Sequence, residues 1–330
     1  MIIDVKNLNK TFTTYERGNK FSDVIKSVFA RKEIIVNALH DISFNIEEGE
    51  LVGFLGPNGA GKSTTLKILT GILHPTSGEV NIMGYTPWLE RKKYVGKIGA
   101  VFGQKSQLFF DVPPIDSFYL NKAIYDIPDN EFKKTLDNMA ELLNIQNIMK
   151  KPTRQLSLGE RMKCEFMMSM LHNPKIVFLD EPTIGLDVIA KDKIREFIVE
   201  MNKKGTTFIL TTHDLADIEH LAKRIIVING GEMVFDDSLQ SLKKYLGTKK
   251  IITLKLTNIL PDMDAPGIKI INRISDYEAE IELDYNLYNM NEFIAYISKT
   301  SSIEDMSIKE IPIEKIIKNL YSNKTNLNKG

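Results

Sequence analysis

Hydrophobic and polar positions change their spacing repeatedly along the chain, which predicts alternating strands and helices. Residues 2–8 and 38–46 alternate between apolar and polar side chains, as expected for half-buried strands. The unbroken apolar run at 51–55 predicts a buried strand, and apolar residues with helical spacing up to position 72 predict a helix after it. A buried strand that leads directly into a helix indicates an α/β fold.

Residues 16–36 interrupt this order and are interpreted as an insertion. The apolar residues of this stretch recur with the spacing of one helix face, at Phe21, Val24, Ile25, Val28 and Phe29. This spacing predicts an amphipathic helix. We expect the helix either to pack on its own domain or to lie against a partner subunit or a membrane surface.

The second half of the first domain combines helices with further buried strands. Residues 115–172 are predicted to be mainly helical, with interruptions near Pro128 and Pro152. The methionine-rich run from Phe166 to Met170 is interpreted as core filling. Apolar runs at 176–179 and 207–212 predict strands, and Gly230-Gly231 predicts a hairpin between two more.

The last part of the chain has the pattern of a separate small unit. Residues 236–250 are polar and rich in lysine, which indicates a linker through a short helix. Strands are predicted at 251–256, 268–272, 277–283 and 303–309, and helices near 289–299 and 312–322. We therefore expect a domain of residues 1–240, with a helical subdomain at about 105–172, followed by a linker and a small α+β domain over 241–330.

Composition and charge are those of a globular protein. The 330 residues are 43% hydrophobic and 26% charged, and the formal net charge is zero, so no overall field attracts nucleic acid. Cys164 is the only cysteine, which excludes an intrachain disulfide. The sequence has no apolar run of membrane-spanning length and no signal-peptide pattern at its start. For a membrane process, we expect another chain to supply the membrane part.

The strongest chemical signal follows the predicted strand at 51–55. The segment reads Gly56-Pro57-Asn58-Gly59-Ala60-Gly61-Lys62-Ser63-Thr64, which matches G-x-x-x-x-G-K-[ST] between a strand and a helix. Backbone N–H groups of such a loop and of the helix start form an anion cradle. Lys62 is expected on the β- and γ-phosphates, and the Ser63 hydroxyl on Mg²⁺. A glycine-rich turn that only joins strand to helix would not require Lys-Ser, so we predict binding of a nucleoside triphosphate.

Further candidates lie at the ends of other predicted strands. Asp180 and Glu181 follow the strand at 176–179, where Asp180 is expected to hold Mg²⁺, directly or through water, and Glu181 to polarise the attacking water. His213 follows the strand at 207–212 and could contact the γ-phosphate, although a lone histidine is more often structural. An aromatic residue in 10–15 could stack on a purine base or pack on the core.

Several motifs together carry a family resemblance. Leu-Ser-Leu-Gly-Glu stands at 156–160, Asp-Glu-Pro-Thr at 180–183, Gly-Leu-Asp at 185–187 and Thr-His-Asp at 212–214. With Gln104 and the phosphate loop, this set resembles the ATPase subunit of ABC transporters, of the bacterial exporter type with a separate permease, over about residues 1–240. The resemblance implies a phosphate-loop NTPase core of the α/β class with antiparallel β and helical subdomains. The small C-terminal α+β domain resembles an accessory domain of some exporter subunits.

The resemblance also implies roles for single residues. Phe12 matches the adenine-stacking aromatic, with Tyr15 as the alternative, and Gln104 matches the glutamine that senses Mg²⁺ and the attacking water, with Gln107 as the alternative. Ser157 and Gly159 match the signature that binds the γ-phosphate held by the opposite subunit. Asp180 matches the magnesium aspartate, and Glu181 matches the catalytic glutamate. Asp187 matches the loop that crosses the dimer, and His213 matches the γ-phosphate histidine. Leu158 and Glu160 depart from the usual LSGGQ signature, which puts the hydrolysis rate in question more than ATP binding.

The resemblance implies two kinds of partner. One is a second ATPase subunit, expected to be another copy of this chain in a head-to-tail dimer with ATP and Mg²⁺ between the copies. The other is an integral membrane permease, which would place the chain at the cytoplasmic face of the cell membrane and meet residues 108–114, although Phe109 and Phe110 could instead pack inside the helical subdomain. The alternative function is a soluble ABC ATPase that acts on ribosomes or nucleic acid. A phosphate-loop kinase would not explain the signature, Gln104 or His213.

Overall fold

The computed structural model describes residues 1–15, 33–103, 105–212, 215–245, 249–261 and 263–310. The chain forms two compact units, Met1–Asp237 and Ser238–Gly330. Within the ranges described, no helix combines the length and the apolar character needed to cross a membrane.

The first unit contains an antiparallel sheet with strand order β2-β1-β4. Its strands are β1 (Ile3–Tyr15), β2 (Glu33–Ile46) and β4 (Ser77–Ile82). The strand β2 begins at Glu33, so the predicted insertion does not extend to residue 36. Residues 34–36 are β-branched and pair with residues 12–14 of β1, which explains their strand conformation. The amphipathic helix predicted from Phe21 to Phe29 lies outside the described residues.

A mostly parallel sheet forms the centre of this unit, with strand order β5-β6-β7-β3-β8-β9. The strands are β3 (Leu51–Leu55), β5 (Ile98–Phe102), β6 (Ile176–Asp180), β7 (Thr207–Thr212), β8 (Arg224–Asn229) and β9 (Glu232–Ser238). The strand β3 pairs in parallel with β7 and β8 and is buried along its whole length, as its apolar run predicts. The rings of Phe44 and Phe54 meet edge to face at 5.4 Å and join the two sheets in one core.

Helices connect these strands. They are α1 (Lys62–Leu69), α2 (Arg91–Val95), α3 (Pro114–Ile124), α4 (Asp129–Leu143), α5 (Leu158–Met170), α6 (Val188–Lys203) and α7 (Leu215–Leu221). The predicted interruptions are present: Pro128 is the N-cap of α4, and Pro152 precedes a short 3₁₀ turn. Met162, Met167 and Met170 on α5 are buried, so these methionines fill the core.

The second unit is an antiparallel sheet with helices, as the pattern predicts. Its elements are α8 (Leu239–Tyr245), β10 (Lys249–Leu256), β11 (Asp264–Ala265), β12 (Ile268–Arg273), β13 (Glu278–Asp284), α9 (Met290–Ile297) and β14 (Ile303–Glu310). The strand order is β11-β12-β13-β10-β14, and Phe293 and Ile297 of α9 are buried in the core of the unit. The helix predicted near 312–322 lies outside the described residues.

Candidate active site

The loop between β3 and α1 forms a polar cavity of about 430 Å³. Residues 58–64 line it together with Ala38, Glu181 and Ile184. Gly59 has φ 80° and Gly61 has φ 111°, a region that only glycine enters without strain. The N–H groups of the first turn of α1 have no acceptor within the helix, so they are available to an anion. The loop therefore has the geometry of a phosphate cradle.

The side chain of Lys62 adds positive charge to this cradle. It is 5% exposed, and its Nζ donates hydrogen bonds to the carbonyl oxygens of Gly56 at 2.6 Å and Pro57 at 3.1 Å. Burial lowers the pKa of Lys62, and the nearby carboxylates of Glu181 and Asp180 oppose that decrease. The loop carbonyls and the two carboxylates thus stabilise an ammonium group at the edge of the anion cradle.

An oxygen cluster lies beside the cradle, at the carboxyl end of β6. Asp180 Oδ1 accepts hydrogen bonds from the Ser63 hydroxyl at 2.9 Å and from the Thr211 hydroxyl at 2.6 Å. The parallel register places Asp180 opposite Thr211, so the two sheet strands fix this contact. Carboxylate and hydroxyl oxygens in contact are the donor set that Mg²⁺ prefers. Ser63 and Asp180 therefore fit the ion that the sequence predicts there.

Glu181 has an unusual backbone at this place. Its φ is 52°, in the left-handed region that costs a residue with a side chain about 1–2 kcal/mol. Its N–H donates to the Thr211 carbonyl at 3.1 Å and to the Thr211 hydroxyl at 3.2 Å, which holds the turn. Glu181 lines both the phosphate cavity and a second cavity of about 230 Å³ that includes Ser63 and Asp180. The strained turn thus places a carboxylate between the phosphate cradle and the oxygen cluster.

The signature segment 156–160 starts helix α5 with a reciprocal pair of hydrogen bonds. Ser157 is the N-cap, and its hydroxyl oxygen accepts from the Glu160 N–H at 3.2 Å. The Glu160 carboxylate accepts from the Ser157 N–H at 2.9 Å, which completes a capping box. The Glu160 carboxylate thus satisfies a backbone donor of the helix start. Glutamate at this position therefore has a structural role in starting α5.

Gly159 and Asp187 bring the starts of two helices together. A Cβ on Gly159 would lie 2.7 Å from the Cβ of Ala190, so α5 and α6 approach too closely for a side chain. Asp187 is the N-cap of α6 and accepts from the Ala190 N–H at 2.8 Å. Among the described residues that line the phosphate cavity, none belongs to segment 156–160. The glycine is thus required for packing within the chain, in addition to its predicted approach to phosphate.

A buried acid that sequence analysis did not identify lies behind the site. Asp217 is fully buried and accepts from Arg195 Nε at 2.8 Å, from Arg195 Nη2 at 2.6 Å and from the Thr183 hydroxyl. The Thr212 hydroxyl donates to the same carboxylate at 3.4 Å. Thr183 is two residues after Glu181, and Thr212 immediately precedes His213. This cluster, which we call the Asp217 network, ties together the segments that carry Glu181 and His213.

The remaining predicted residues are placed as follows. Gln104 and His213 lie outside the described residues, as does the side chain of Tyr15. Phe12 lies on β1 opposite Val36, with Lys10 Nζ 4.9 Å from its ring centroid.

Gln107, the alternative to Gln104, donates from Nε2 to the Ala100 carbonyl at 2.7 Å. It lines a separate cavity of about 130 Å³ with Asn121 and His172. Its amide is thus directed to β5, and this geometry does not favour Gln107 as the alternative.

Comparison with known proteins identifies the family. The family model described as "ABC transporter" matches residues 39–184. The ABC transporter ATP-binding protein YcbN of Bacillus subtilis, itself uncharacterized, is 30% identical over 308 residues, which are 87% of this chain and 95% of YcbN. The chain belongs to the ABC transporter ATP-binding family. The resemblance inferred from the phosphate loop, the signature and segment 180–187 is therefore confirmed.

Two further relatives extend the match for this ABC ATPase. The linearmycin resistance ATP-binding protein LnrL of Bacillus subtilis is 27% identical over 292 residues, 88% of this chain and 92% of LnrL. Among solved structures, the ATP-binding cassette MJ0796, a dimer in a post-hydrolysis state bound to ADP and Pi, superposes with a TM-score of 0.60 at 28% identity, over 72% of this chain and 98% of that one. The predicted fold class and the predicted ATPase activity are both confirmed: the protein binds ATP and hydrolyses it.

Proposed function

We propose that this ABC ATPase is the motor subunit of an exporter, in which ATP-driven closure and hydrolysis act on a separate permease. The observation that carries the proposal is the oxygen cluster of Ser63, Asp180 and Thr211 at the edge of the phosphate cavity. Glu181 lies between this cluster and the phosphate cradle. The name of the relative LnrL, a resistance ATP-binding protein, supports export over import.

The positions of these residues support the following roles in the proposal. The N–H groups at the start of α1 and the Lys62 ammonium bind the phosphates, and Ser63 and Asp180 hold Mg²⁺. The ion, when bound, supplies positive charge that neutralises the phosphate oxygens. Glu181 accepts a proton from the attacking water, a role for which its place beside the cavity suits it.

Four further residues complete the site that we propose. Gln104 and His213 assist hydrolysis from the segments after β5 and β7. Phe12 stacks on the adenine from strand β1. Asp187 contributes from the loop that crosses to the second subunit.

The second subunit is proposed to be another copy of the chain. Ser157 and Gly159 start a helix whose N–H groups and dipole favour a phosphate, yet they are not among the described residues around the chain's own phosphate cavity. A head-to-tail dimer brings the signature of one copy to the triphosphate of the other. The sequence contains one phosphate loop and one signature, so a complete site of this kind requires a second subunit.

The permease is proposed to bind beside the segment 108–114. Phe109 and Phe110 are 55% and 63% exposed, which favours contact with a partner over packing inside the helical subdomain. Tyr119 and Ile124 of α3 are also more than half exposed. A permease in the membrane would hold this ABC ATPase at the cytoplasmic face.

The experiment compares ATP hydrolysis and dimerisation of the wild-type chain with two variants. Lys62→Ala should abolish ATP binding, because the ammonium in the cradle is lost. Glu181→Gln should bind ATP with unchanged affinity and turn over at least about a hundredfold more slowly, as expected for loss of a general base. With ATP it should elute as a dimer in size-exclusion chromatography. A Glu181→Gln chain that hydrolyses ATP at the wild-type rate would refute the assignment of the base.

Coupling is tested in vesicles that contain the complete transporter. Phe109→Ser with Phe110→Ser should abolish ATP-driven transport while ATP binding by the isolated chain stays unchanged, because neither ring lines the phosphate cavity. Leu89→Ser, which removes a single apolar side chain that is 75% exposed, is the matched control and should leave transport intact. Normal transport by the double variant would remove this surface from the proposal.

A further inference from the structure

A buried carboxylate on helix α5 has no role in the proposed reaction. Glu165 is 3% exposed, and its helix neighbours Cys164 and Phe166 are fully buried. Burial raises the pKa of Glu165, and hydrogen bonds and the charge of Arg161 oppose that increase. A buried charge without hydrogen-bond partners is costly. The hydrogen bonds of the Glu165 carboxylate therefore indicate which part of the chain it stabilises.

In the described part of the chain, the donors to Glu165 belong to one short segment, residues 106–108, which we call the post-β5 segment. The Ser106 hydroxyl donates to Oε1. The Gln107 N–H reaches Oε1 at 3.0 Å and Oε2 at 3.1 Å, and the Leu108 N–H reaches Oε1 at 3.4 Å. One carboxylate thus binds a hydroxyl and two consecutive backbone donors.

The same segment is also tied to the central sheet. The Gln107 side chain donates to the Ala100 carbonyl on β5 at 2.7 Å, while its backbone N–H is bound to Glu165. The post-β5 segment therefore bridges β5 and α5, and it begins two residues after Gln104. A shift of α5 relative to the sheet must either carry this segment along or break the bonds to Glu165.

We propose that Glu165 is a positioning residue that holds the post-β5 segment between β5 and the signature helix, and that the rate of hydrolysis depends on this contact. Glu165 does not touch the substrate; it acts through the backbone of Gln107 and Leu108. The inference rests on the proposed function, because it takes the hydrolysis of ATP to occur at the site that we propose.

The test measures kcat, KM, the dissociation constant for ATP and the melting temperature of the intact chain and its variants. Glu165→Gln keeps the shape but replaces one acceptor oxygen by an NH₂ group that faces N–H donors. It should lower kcat about tenfold, equivalent to ~1.4 kcal/mol of activation free energy, and leave the ATP dissociation constant within about twofold.

Ser106→Ala removes a donor from an exposed residue and should lower kcat about threefold, an effect of ~0.65 kcal/mol. Ser169→Ala is the control on the same helix, because its hydroxyl donates to the Phe166 carbonyl of α5 itself at 2.8 Å, and it should keep the wild-type kcat. The combination of Glu165→Gln and Ser106→Ala should be no slower than Glu165→Gln alone, since both act on one contact.

Three results would overturn the inference. One is a Glu165→Gln chain with a lowered melting temperature but an unchanged kcat per bound ATP, which would make the residue purely structural. Another is an equal loss of kcat and ATP affinity. If Glu165→Gln does not fold, an unchanged kcat in Ser106→Ala overturns the inference by itself. The proposed function fails separately, if Glu181→Gln hydrolyses ATP at the wild-type rate.

Discussion

The buried pair of Arg195 and Asp217 gives a sharp test of how the catalytic segments are held. The guanidinium meets the carboxylate through Nε at 2.8 Å and Nη2 at 2.6 Å, and the side chains are 12% and 0% exposed. Asp217→Asn keeps the shape but removes the charge, so Arg195 is left as a buried cation with a neutral neighbour. Removal of one partner from a buried pair costs about 3–5 kcal/mol, a large part of a typical stability of about 5–15 kcal/mol.

Asp192 provides the matched control, because it binds the same guanidinium from the solvent side. Its carboxylate accepts from Arg195 Nη1 at 2.9 Å and is 56% exposed. Asp192→Asn should therefore cost at most about 1 kcal/mol. In urea titrations followed by circular dichroism, a slope of about 2–3 kcal/mol per molar predicts a midpoint about 1–2.5 M lower for Asp217→Asn.

The same variants report on catalysis. Because Thr183 and Thr212 donate to Asp217, its loss should also lower kcat, through displacement of the segments that carry Glu181 and His213. Equal destabilisation by Asp192→Asn and Asp217→Asn would refute the reasoning, because solvent exposure would then make no difference to the pair.

Two more predictions concern packing and pH. His172 stacks on Tyr125 with ring centroids 4.0 Å apart, and burial lowers its pKa from 6.5, so the unfolded chain takes up a proton before the folded chain as the pH falls. The stability that this neutral histidine contributes is complete above about pH 6.5 and is lost as the pH falls towards the lowered pKa of the folded chain. His172→Phe should therefore reduce the fall in melting temperature between pH 7.5 and pH 5.5. A fall as large as that of the wild-type chain would contradict this prediction. Gly159→Ala should destabilise the chain by about 1–3 kcal/mol in urea titrations, since its Cβ would lie 2.7 Å from that of Ala190, and adding Ala190→Gly should restore most of the loss. A double variant as unstable as the single one would argue against this contact.

Local sequence patterns predicted the elements around the phosphate loop well. The apolar run Leu51–Leu55 and the glycines before Lys62 act within one stretch of chain, so spacing alone identifies the strand, the turn and the helix. The strand that ends at Asp180 is equally local. The predicted start of β2 was wrong, because the predicted insertion was extended over Ile34 and its β-branched neighbours, which belong to the strand.

Contacts between distant segments could not be read from spacing. Asp217 and Thr183 are 34 positions apart, and Ser106 and Glu165 are 59 apart, so neither pair leaves a periodic signal. The left-handed φ of Glu181 was also missed, because glutamate does not favour that conformation and the surrounding fold imposes it. Asp217 and Glu165 could have been suspected as acids within apolar stretches, but their partners required the structure.

The capping box at the start of α5 has a consequence for the affinity of the phosphate site that we propose at this helix end. The Ser157 hydroxyl oxygen accepts from the N–H of Glu160, and among the described residues no acceptor binds its own proton. The capping box by itself orders this end of the helix, so binding of the phosphate that we propose there should cost little conformational entropy. Glu160, which stands in place of the usual glutamine, is in this sense a preorganising group. Its negative charge would weaken the attraction of a phosphate, but its hydrogen bond keeps the helix end in the shape that binding would need.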